Sequence, residues 1–74
     1  EKTYSQIEFE YFKSCANFIV REVITDNKGL SDAAKQDRLY SAVSKYQTAL
    51  WKAVNRREKA MIYKNLIKAY DLLC

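Results

Sequence analysis

"SKYQTALWKAVNRREKAMIYKNLIK", residues 44–68, reads apolar at helical spacing, then basic, then apolar again. Tyr46, Leu50 and Ala53 or Val54 recur every three or four residues, the step that keeps side chains on one helix face. Asn55-Arg56-Arg57-Glu58 breaks that rhythm. Asn55 is a good N-cap, and Glu58 at the third helical position completes a capping-box pattern, so a new helix starts here. Beyond it run two stripes, Ile62, Leu66, Ala69, Leu73 and Tyr63, Ile67, Tyr70. The segment therefore predicts two helices meeting in a short turn, and the rest of the chain follows the same pattern.

Upstream, Ser31 caps the first of these two helices, with Asp32 favourable in its first turn. Its inner stripe is Leu39, Val43, Tyr46 and Leu50, with Trp51 at the edge of the core. Lys35, Arg38, Lys45, Lys52 and Arg56 form a cationic outer face. Further back, Thr3 or Ser5 begins another helix, each with Gln6 or Glu8 three residues on. Two apolar stripes follow: Ile7, Tyr11, Phe18 and Phe12, Ala16, Ile19, Val23. The run Thr25-Asp26-Asn27-Lys28-Gly29 ends it, Gly29 being free to take a left-handed turn. The expected fold is all-α: a three-helix bundle, up-down-up, with helices at about 4–25, 32–54 and 56–73. Helices 1 and 3 then run parallel, side by side. Each carries a second apolar stripe, which either widens the core or lines a groove for a partner helix.

Composition supports this and limits the chemistry. The 74 residues include one Gly and no Pro, and 49% are hydrophobic. Residues 1–74 read as a single domain, and a start at Glu1 rather than Met fits one cut from a longer protein. No run of about 18 apolar residues occurs, so no membrane span is expected. There is no His, which removes the commonest general base and zinc ligand. We expect no enzyme, no cofactor and no metal. Cys15 and Cys74 differ in height along the bundle by roughly 9 Å at 1.5 Å per residue. A disulfide tolerates Cα separations of up to about 7 Å, so two separate thiols are expected. Charge is uneven: residues 1–30 carry four Lys/Arg and five Asp/Glu, residues 31–74 nine and four. The basic half would attract acidic segments or nucleic acid alike.

The late helix 2 pattern resembles KIX domains, three-helix modules of CREB-binding-type coactivators and of the Mediator tail subunit, with a related module in a RecQ-type helicase. Tyr46, Leu50-Trp51, Ala53, Asn55, Arg56 and Glu58 carry the resemblance, continued by Leu66, Ile67 and Tyr70. Gln47 departs from it where the family has an acidic residue, as does Lys59-Ala60 where it has tyrosines. The resemblance implies a protein–protein interaction module in transcription, acting in the nucleus. Its partner would be a short acidic amphipathic helix of an activation domain, seated in an apolar groove between helices 1 and 3. Mapped by position, Phe12, Ile19 and Val23 would line that groove from helix 1, and Tyr63, Ile67 and Tyr70 from helix 3. Lys64 and Lys68 would rim it. Two alternatives compete. One is nucleic-acid binding along Lys35, Arg38, Lys45, Lys52, Arg56, Arg57 and Lys59. The other is a homodimer that buries the extra stripes of helices 1 and 3.

Overall fold

The computed structural model describes residues 3–25 and 29–73. It contains three helices, α1 (Tyr4–Thr25), α2 (Asp32–Lys52) and α3 (Arg56–Leu73), and no strand among the described residues. Each helix starts on a side chain legible in the sequence. Thr3 is chosen over Ser5 for α1. The Gln6 N–H donates to Thr3 Oγ1 at 3.2 Å while Gln6 Oε1 accepts from the Thr3 N–H at 2.9 Å. This reciprocal pair satisfies two helix-end groups at once. Ser31 caps α2 by accepting from the Ala34 N–H. Asn55 caps α3, its Oδ1 accepting from the Glu58 N–H at 2.8 Å. The Glu58 carboxylate reaches one residue further back than a standard box, accepting from the Val54 N–H at 2.9 Å.

That bond explains one boundary. The expected end of α2 at residue 54 is corrected to Lys52. Ala53 turns extended, φ −64° and ψ 134°, and its N–H bonds back to the Leu50 carbonyl. Val54 is then free to offer its N–H to Glu58. At the other connection Gly29 has φ 65°, the left-handed conformation expected of it. Asp26, Asn27 and Lys28 lie outside the described residues, as does Cys74. Cys15 is a free, half-buried thiol.

Three cross-helix pairs fix the topology. Lys52 meets Glu8 at 3.1 Å, and the Tyr46 hydroxyl donates to Asn17 Oδ1, so α2 runs antiparallel to α1. Lys13 Nζ lies 3.7 Å from Met61 Sδ, and further along both helices Arg21 and Lys68 line one hollow, so α3 runs alongside α1 in the parallel sense. The bundle is up-down-up, but it is not symmetric. α1 and α3 both pack on α2 and scarcely touch each other. The expectation of helices 1 and 3 packed side by side is corrected accordingly. The shape is long and narrow, 41 × 20 × 15 Å. Its radius of gyration, 12.8 Å, exceeds the roughly 11 Å typical of a rounder domain of this length.

The core comprises Phe9, Ala16, Val20 and Val23 of α1; Leu39, Ala42, Val43, Tyr46 and Ala49 of α2; and Ile62, Leu66 and Ala69 of α3. Phe12, Ile19, Leu50, Ala53 and Leu73 pack around its margin. Ala16, Ala42, Ala49 and Ala69 are wholly buried. Small side chains at these positions let neighbouring helices pack closely. Neither second stripe belongs to this core: Ile7, Tyr11 and Phe18 are exposed on α1, and Tyr63, Ile67 and Tyr70 on α3. Trp51, expected at the core edge, stands in solvent instead, 88% exposed.

Candidate functional site

The eight residues assigned to a groove between helices 1 and 3 do not converge on one surface. On α3 the core line runs through Ile62, Leu66 and Ala69. Met61, Asn65 and Lys68 lie on one flank of it, and this is the flank that meets α1. Tyr63, Ile67 and Tyr70 lie on the other, roughly 160° away around the axis at 3.6 residues per turn. On α1, the residues turned toward α3 are Lys13, Asn17, Val20, Arg21 and Ile24. Phe12, Ile19 and Val23 instead lie toward α2, where Val23 is buried and the other two pack at the core margin. Of the eight, Lys68 alone lines the hollow between α1 and α3.

That hollow, about 370 Å³, is polar and apolar in nearly equal measure. Asn17 and Arg21 stand on one wall and Asn65 and Lys68 on the other, with Val20 and Ile24 as its apolar part. Tyr46 of α2 also lines it. Burial pushes the Tyr46 hydroxyl above its ordinary pKa, because the phenolate would lose its solvation. Sequence periodicity missed the hollow because its amides and cations look like ordinary solvated positions on a helix.

Two apolar surfaces remain. The first lies along α3 and over the α2–α3 turn. Leu50, Trp51, Ala53, Lys59 and Tyr63 enclose a hollow of about 280 Å³. Tyr63, Ile67 and Tyr70 continue that line at helical spacing and are 54%, 63% and 46% exposed. Trp51 joins it because the chain reverses around Asn55, folding the end of α2 against the start of α3. Arg56 and Lys59 precede the stripe on the same face and Lys64 flanks it, while Lys68 lies toward α1. Asp71 is the one carboxylate of α3 besides the capping Glu58. The second surface is the outer face of α1, where Tyr4, Ile7, Tyr11 and Phe18 point away from the core. Tyr11 and Phe18 share a hollow of about 460 Å³ with Cys15, Ile19 and Lys45.

The cations expected to track nucleic acid divide between surfaces. Lys52 pairs with Glu8, and Lys45 leans over the apolar hollow against α1. Arg56 and Lys59 belong to the α3 surface. Among the described residues no group of three His, Cys, Asp or Glu is arranged to hold a metal. Among the described residues no helix is long and apolar enough to cross a membrane. No protein-family model, curated protein or solved structure matches the chain.

Proposed function

We propose that this chain is a protein–protein interaction module that binds a short, acidic, amphipathic helix along the outer face of α3. The observation that carries this is the line Trp51, Tyr63, Ile67, Tyr70: large apolar side chains exposed together, edged by Arg56, Lys59 and Lys64. Apolar surface left contiguous on a small protein marks an interaction site. Aromatic anchors are the residues that carry binding free energy at such sites. The basic edge speeds encounter with an acidic partner and selects against a basic one. The resemblance of residues 46–70 to KIX domains supports a partner drawn from transcriptional activation segments, and hence action in the nucleus. The seat differs from the expected one. The α1–α3 cleft carries as much polar as apolar surface, and the apolar stripe of α3 faces away from it.

The test is amide-shift titration of the labelled protein with an acidic amphipathic peptide. Shifts should cluster at the Trp51 indole, Tyr63, Ile67 and Tyr70. Tyr70→Ala should weaken the peptide by about 1–3 kcal/mol while leaving the unfolding midpoint nearly unchanged. Unaltered affinity in that variant, or shifts confined to the cationic flank of α2, would move the site elsewhere.

A second reading rests on the outer face of α1. A second copy of the chain would bury Tyr4, Ile7, Tyr11 and Phe18 in an isologous contact. Sedimentation velocity at micromolar concentration distinguishes it: a monomer throughout leaves that face to another partner.

A further inference from the structure

The geometry points to a second binding site, for a small phosphomonoester with an apolar body, in the hollow between α1 and α3. Arg21 and Lys68 line this hollow from opposite helices, and among the described residues no carboxylate does. Neither cation is paired with a carboxylate among the described residues. Both line the same hollow, so an anion seated there meets a cation from each helix. A phosphomonoester carries roughly −1.5 to −2 charges and three acceptor oxygens, which suits two cations better than a single carboxylate does. The guanidinium offers a planar fork to two oxygens, and the ammonium a point charge to the third.

The amides extend the donor set. Asn17 Oδ1 is taken by the Tyr46 hydroxyl, which leaves the Asn17 NH2 as the end that can donate to a ligand. Asn65 supplies a second amide from the facing helix. Val20 and Ile24 form the apolar side, against which the organic part of the ligand packs. The volume, about 370 Å³, is at the small end of the range for small-molecule sites. The site is separate from the peptide surface proposed above, on the opposite flank of α3.

Titration of the intact protein with phenyl phosphate at low ionic strength, followed by side-chain amide and arginine Nε shifts, tests this. Saturable shifts are expected at Asn17, Asn65 and Arg21. Arg21→Gln should weaken binding by about tenfold, as the loss of a charge-assisted pair requires; Lys68→Gln should weaken it too. Inorganic phosphate should shift the same groups with lower affinity, because it leaves Val20 and Ile24 uncovered. Equal shifts from chloride at matched ionic strength, or undiminished binding in Arg21→Gln, would overturn the proposal. Both side chains are exposed, so these variants should fold. The peptide titration does not depend on Arg21, so either proposal can fail without the other.

Discussion

Tyr46 is the residue where core and polar chemistry meet. Its ring is almost fully buried, and its hydroxyl reaches out of the core to Asn17. Tyr46→Phe keeps the packing and removes the bond. Asn17 is exposed and can turn to water, so the cost at neutral pH should be at the low end of about 0.5–1.5 kcal/mol. Burial raises the folded-state pKa of Tyr46 above its unfolded value of about 10. The folded state therefore keeps its proton to higher pH than the unfolded state. This contribution is complete below about pH 10 and is lost as pH rises through the folded pKa. The stability gap between wild type and Tyr46→Phe should narrow in urea titrations above about pH 10, and a gap independent of pH would contradict the assignment. Tyr46 and the caps Thr3, Ser31 and Asn55 were legible in the sequence because their chemistry is local. Phe9, Val20, Ala42 and Ala49 were not. Phe9 and Val20 belong to neither of the regular stripes traced on α1. Alanine carries too little apolar area to stand out, and it becomes core because two helices meet closely there.

At the scale of elements, helix boundaries were readable to within two residues because capping side chains mark them. The exception, the end of α2, depended on which backbone N–H the Glu58 carboxylate would take. What period alone could not decide was which of two apolar stripes turns inward. On α1 the stripe through Ile7, Tyr11 and Phe18 looked as good as that through Phe12, Ala16 and Val23, yet only the second faces α2. α3 is the least anchored helix, with Ile62, Leu66 and Ala69 as its buried face and α2 as its main neighbour. Local opening is easiest where buried apolar contact is thinnest. Native-state hydrogen exchange should therefore show α3 amides opening at lower free energy than those at the centres of α1 and α2. Uniform protection across the three helices would mean that the α1–α3 contact contributes more than its geometry suggests.

For the whole molecule, fold class was legible and helix pairing was not. The wide apolar faces allowed either a closed triangle or two helices laid on a third, and the chain adopts something near the second. This also explains why the expected site residues divide. Phe12, Ile19 and Val23 are committed to α2, so the apolar stripe of α3 has no counterpart on α1. The shared position of α2 has a kinetic consequence. The α1–α2 hairpin can assemble without α3, whereas α3 has little to dock on until α2 has formed. The folding nucleus should then lie in the hairpin. Val23→Ala should mainly slow folding, while Ile62→Val should leave the folding rate nearly unchanged and speed unfolding. Chevron plots of the two variants would read this directly, and similar fractional effects from both sites would indicate a nucleus spread over all three helices.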